Sequence, residues 1–118
     1  MATLNANTFK SRNDAEAHYL GLIDVWATEK RSTDPAQETI YWRKALEANA
    51  GGGPLLNAEA EALRINTSEL CERVKASALE TETAWYAIEI KRVTAKSDIR
   101  AAQTAAQMHA IYQQLRAN

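Results

Sequence analysis

The stretch Thr67–Ala102, TSELCERVKASALETETAWYAIEIKRVTAKSDIRAA, contains neither Gly nor Pro. Nothing in it interrupts a helix. Leu70, Val74, Ser77, Thr81, Ala84, Ile88, Ala95, Ile99 and Ala102 recur at spacings built from threes and fours, the period of one helical face. A helix of this length measures roughly 50 Å at about 1.5 Å per residue. A compact chain of this size has a radius of gyration of roughly 13–14 Å, too small to cover it. The expected fold is therefore all-α: an elongated helical bundle or hairpin with one long central helix, or a long helix that packs on other subunits.

A second stripe on the same helix, Leu79, Tyr86, Ile90 and Val93, lies about 140–160° round from the first. Two apolar sides imply two partners, one of them the chain's own helices and the other a different protein, unless both are covered internally. Working outward, Thr67 or Ser68 is the expected cap of the long helix. Thr104-Ala105-Ala106-Gln107 is a capping box that opens a last helix of about 105–116, with Met108, Ile111, Tyr112 and Leu115 on one side.

Upstream, Gly51-Gly52-Gly53-Pro54 is the one clear interior break, because three glycines free the backbone and proline stops a preceding helix. It reads as a hinge, followed by a short helix from Leu55 to about Leu63. Before it, Asp34-Pro35 with Glu38 is a helix start for about 35–49, with Ile40, Trp42, Ala45 and Leu46 as apolar positions. Asn13, with Glu16 three residues on, is the expected cap of a first helix of about 14–30, whose apolar face is Ala15, Tyr19, Leu22, Ile23 and Trp26. The organisation expected is an extended arm 1–12, a helical hairpin 13–50, a hinge 51–54 and a helical region 55–118.

Composition narrows the function. The 118 residues carry 14 Lys plus Arg against 15 Asp plus Glu, with 46% hydrophobic residues and alanine at roughly a fifth of the chain. This is the size of one ordinary domain and the balance of a folded protein. Near-neutral charge argues against a nucleic-acid partner, whose phosphates call for a basic excess. No window approaches the roughly 18 apolar residues of a membrane span, and the first residues lack a secretory signal, so the cytoplasm or a larger assembly is the expected location. One cysteine, Cys71, makes no internal disulfide, and His18 and His109 form no metal-ligand cluster, so no metal and no cofactor are expected.

The groups that chemistry would need are sparse. His18 and His109 read as ordinary surface or half-buried residues. Cys71, in the first turn of the long helix where the dipole lowers a thiol pKa, reads as a bystander thiol with no base beside it. Glu59, Glu61, Glu69, Glu72, Glu80, Glu82 and Glu89 lack the Glu-x-x-His pairs of a carboxylate metal site and read as a solvated face. The glycine run lacks the Gly-Lys-Ser/Thr ending of a phosphate loop. Lys91, Arg92, Lys96 and Arg100 make a basic patch balanced by Glu89 and Asp98. No catalytic residue is expected. The aromatic pairs Tyr41-Trp42 and Trp85-Tyr86 are more telling, because helix neighbours point about 100° apart and a thin fold can hardly bury both of a pair; the alternatives are that one of each faces outward or that they enlarge a small core. Trp and Tyr are favoured at protein interfaces. The candidate interface residues are Trp42, Leu55, Leu56, Trp85, Tyr86, Ile90 and Val93.

Trp42, Glu47-Ala48, Pro54-Leu55-Leu56, Glu69-Leu70, Arg73-Val74-Lys75-Ala76, Lys91-Arg92, Ile99 with Ala101-Ala102, and Thr104 leading to Ala110-Ile111 follow one another in a fixed order. That order resembles small proteins encoded near the tail-fibre genes of tailed bacteriophages, over the last two-thirds of the chain. The chain departs from them in its helical N-terminal segment, and in Glu89-Ile90-Lys91-Arg92 where a Gly-Gln-Arg-Gln-like run is usual. The resemblance implies a protein that binds a tail fibre or baseplate subunit, as an assembly chaperone or a small virion component, and it brings no catalytic residues. A helical regulator or inhibitor of a host protein is the alternative from a different class. A second copy of the chain also stays open as a partner.

Overall fold

The computed structural model describes residues 9–32 and 34–117. Residues 1–8 of the expected arm lie outside them. The described residues form five α-helices and no strand: α1 Arg12–Lys30, α2 Pro35–Asn49, α3 Pro54–Leu63, α4 Thr67–Ala101 and α5 Ala105–Ala117. The fold is all-α, and α4, with 35 residues, is the long helix that the uninterrupted stretch predicts.

Two compact units divide the chain, and they cut it differently from the expected boundaries. One unit takes the residues up to Ser32 together with Tyr86 onwards; the other is Thr33–Trp85. α1 and α2 thus belong to different units. The reason is that their apolar residues are satisfied by different helices.

In the first unit α1 packs on α5, and the second half of α4 completes the core. Ala15, Tyr19, Ile23, Trp26 and Ala27 meet Ala95 and Ile99 of α4 and Ala105, Met108 and Leu115 of α5. Burial of these apolar surfaces supplies the main drive for the unit to fold. α1 begins two residues earlier than expected, because the Ser11 hydroxyl, in place of Asn13, accepts the Asp14 amide at 3.1 Å. Arg12 thereby falls in the helix, where its Nε donates to the Ala102 carbonyl at 2.9 Å and its Nη2 to the Arg100 carbonyl at 2.7 Å. These carbonyls close the C-terminus of α4, where no helical amide remains to satisfy them. Phe9, placed in the arm by sequence, packs against the same core, 5.1 Å from the His18 ring and 5.8 Å from Tyr19 between centroids. The turn into α5 is the capping box that the sequence predicts: Thr104 Oγ1 accepts the Gln107 amide at 3.2 Å, and Gln107 Oε1 accepts the Gln103 amide at 2.7 Å.

In the second unit α2 packs on α3, over a small core of Ala48, Leu56, Ala60, Leu70 and Cys71. Asp34 caps α2 by accepting the Ala36 amide at 3.1 Å, with Pro35 in the first turn, as expected. Asn66, not Thr67 or Ser68, caps α4: its Oδ1 accepts the Glu69 amide at 2.7 Å. The glycine run forms a hydrogen-bonded turn. Gly51 and Gly52 take φ of 87° and 142°, values that suit glycine, and the Gly52 amide donates to the Glu47 carbonyl at 2.8 Å.

Candidate functional site

Nine large hydrophobic side chains are exposed among the described residues: Val25, Ile40, Trp42, Leu46, Leu63, Leu79, Tyr86, Ile90 and Val93. Single exposed hydrophobics are ordinary, whereas grouped ones mark interaction surfaces. Two groupings stand out, one in each unit.

In the second unit Tyr41, Trp42 and Trp85 form a cluster. Their ring centroids lie 5.0 Å apart for Tyr41–Trp42, 5.8 Å for Tyr41–Trp85 and 5.9 Å for Trp42–Trp85. Such edge-to-face and tilted contacts match the ring quadrupoles and hold the rings in place. The Tyr41 hydroxyl donates to the Ala78 carbonyl at 3.2 Å, so Tyr41 and Trp85 are half-buried supports while Trp42 stands 47% exposed. Beside them a cleft of about 310 Å³ is lined by Ile40, Tyr41, Lys44, Arg73 and Val74.

In the first unit Tyr86, Ile90 and Val93 project from α4 with exposures of 66%, 64% and 42%. Ile90 also lines a groove of about 460 Å³ between α4 and α5, with Ala95, Ile111 and Leu115 among its apolar walls and Lys91, Asp98 and Gln114 among its polar ones. Each aromatic pair turns one ring outward, Trp42 in the first and Tyr86 in the second.

Leu56 is the correction among the candidate interface residues. It is fully buried, 0% exposed, because the Glu47 clamp seats the start of α3 on α2 and aims this side chain into the core. Leu55 beside it is half-buried. Ile40 and Leu46, two of the apolar positions of α2, are exposed, since the buried side of α2 consists of Glu47 and Ala48.

Glu47 is the residue that sequence reasoning missed. Its carboxylate, 4% exposed, accepts the Leu56 amide at 2.9 Å, the Leu55 amide at 3.3 Å and the Arg43 Nε at 2.8 Å. Gly53 at the start of α3 offers no side chain to cap it, and Glu47 reaches across from the previous helix to do so. The Leu56 amide first, then Arg43 and the Leu55 amide, hold the carboxyl below its ordinary range against the opposing pull of burial. A negative charge at a helix start is often a ligand's. Here the chain provides its own.

The charged residues of α4 are likewise partly consumed. Asp24 accepts from Lys96 at 3.0 Å and from Arg92 at 3.0 Å, and Arg92 also binds Glu89 at 2.7 Å. Lys96 first, then Arg92, lowers the Asp24 carboxyl, and Arg92 lowers that of Glu89; Glu89 and then Asp24 raise Arg92. Half of the basic patch is thereby committed within the unit. His109 Nδ1 lies 3.1 Å from the Tyr19 hydroxyl, a phenol that burial pushes above its ordinary range, and its Nε2 lies 3.3 Å from Gln113 Nε2. His18 is exposed and Cys71 buried. Among the described residues no three His, Cys, Asp or Glu side chains group as metal ligands, and no helix is long and apolar enough to cross a membrane. No protein-family model matches the chain, and neither a curated protein nor a solved structure matches it significantly.

Proposed function

We propose that the chain is a non-enzymatic binding protein of a phage or phage-like tail, which covers apolar surface on a fibre or baseplate subunit as an assembly chaperone or a small virion component. The observation that carries the binding role is the outward placement of Trp42 on α2 and of Tyr86, Ile90 and Val93 on α4. Large aromatic side chains fixed on helices lose little conformational freedom on docking, which is why they concentrate binding energy. The tail context comes from the sequence resemblance over Trp42 to Leu115. In this reading the protein works in the host cytoplasm during assembly and, as a virion component, in the tail.

Two measurements test it. Peptide mass spectrometry of purified particles, with infected-cell lysate as control, separates a virion component from a chaperone. Pull-down with the full chain and with Trp42→Ala and Tyr86→Ala then asks which surface binds. The expected loss for a hot-spot ring is at least about 2 kcal/mol, roughly 30-fold in Kd, with helicity by circular dichroism unchanged. Recovery of a host enzyme and no tail component would replace the tail reading with that of a host-directed regulator.

A further inference from the structure

We infer that the α4–α5 face of the first unit is a two-fold interface with a second copy of this chain. Lys91 and Asp98 both line the groove, and both lie on α4 seven residues apart. Seven residues are two turns, about 10 Å along the axis and about 20° apart around it, so these opposite charges share one face. The ion pairs on this stretch of α4 join Arg92 to Asp24 and Glu89 and Lys96 to Asp24, and among the described residues neither Lys91 nor Asp98 has one.

A face with one positive and one negative charge two turns apart is complementary to itself when a second copy lies antiparallel. Lys91 then meets Asp98 of the other copy, and Asp98 meets its Lys91, the reciprocal pairing that a two-fold axis demands. The axis that pairs positions 91 and 98 passes between Thr94 and Ala95. Ala87, Thr94 and Ala101, all exposed, repeat every seven residues about Thr94, half a position from that centre. Across an antiparallel pair Ala87 opposes Ala101 and Thr94 opposes itself, within one residue of the register that the charges fix. Small side chains in such a row let two helices approach closely, while Ile90, 64% exposed, is carried toward the Ala110–Ile111 wall of the other copy's groove. Charge and side-chain size therefore point independently to registers one residue apart. This inference does not depend on the tail reading.

Charge reversal tests it in the full chain by sedimentation equilibrium. The wild type is expected to sediment as a concentration-dependent dimer. Lys91→Glu and Asp98→Lys, each of which sets like charges against each other twice, are expected to weaken dimerisation at least about tenfold, and the double variant to restore it. Circular dichroism of each variant confirms that the helices persist. A monomeric wild type at concentrations of about 100 μM would overturn the inference, as would a dimer indifferent to the single reversals or one that the double variant fails to restore.

Discussion

A buried carboxylate with three donors is held in one geometry, and any change of its charge is felt throughout its surroundings. Glu47 is such a group, and its depressed pKa ties stability to pH with a definite sign. Because the folded pKa lies below the ordinary 4.5, the contribution is complete above about pH 4.5 and is lost as pH falls through the folded value. Urea unfolding between pH 6 and pH 3 should show stability falling with acid, and Glu47→Gln should be less stable at pH 6 yet flatter across the range. An unchanged slope would show that other carboxylates carry the dependence. Gly53 is bound to the same geometry: a Cβ there would lie 2.5 Å from Glu47 Cδ. Gly53→Ala should cost about 1–3 kcal/mol by overpacking the clamp, read as a lower urea midpoint. Neither effect was visible in the sequence. The residue that caps α3 stands seven positions before its first helical residue, and only the folded turn brings the two together.

The helices themselves were legible where their signals are local. Asp34-Pro35 and Thr104 to Gln107 each place a side-chain oxygen within reach of an amide two or three residues on, and the structure keeps both. The signals failed where a cap comes from elsewhere or breaks a preference. Arg12 closes the end of α4 from about ninety residues away, which no local pattern encodes. Arg12→Ala should lower stability by about 1 kcal/mol and speed amide exchange at the last turn of α4. α3 ends on Arg64 at φ 60°, a left-handed position that costs a side-chain-bearing residue more than glycine, while the Ile65 amide closes the helix on the Ala60 carbonyl at 3.0 Å. Arg64→Gly should therefore stabilise the protein by about 0.5–1 kcal/mol, measured as a rise in the urea midpoint. A fall would mean that the arginine side chain contributes more than its backbone conformation costs.

At the level of the whole chain, the helical class and the long helix follow from an uninterrupted period. The division into units does not, because periodicity gives each helix an apolar side without naming the helix that covers it. The same limit explains why Leu56, a candidate interface residue, is buried, while Ile40 and Leu46, apolar positions of α2, are exposed. The two cores differ in a way that sets their relative resistance to opening. The first includes Tyr19, Ile23, Trp26, Ile99, Met108 and Leu115, whereas the second joins Leu56 and Leu70 to two alanines and a cysteine. Since apolar burial scales with the area removed from water, at about 25 cal/mol per Å², the second unit has less holding it closed. Hydrogen exchange read by mass spectrometry should show peptides of α2 and α3 losing protection before those of α1 and α5. Leu56→Ala, expected to cost about 2–5 kcal/mol, should widen that gap by acting on α2 and α3 alone. Equal protection in the wild type, or a uniform loss in the variant, would mean that the two cores open as one cooperative unit despite their difference in size.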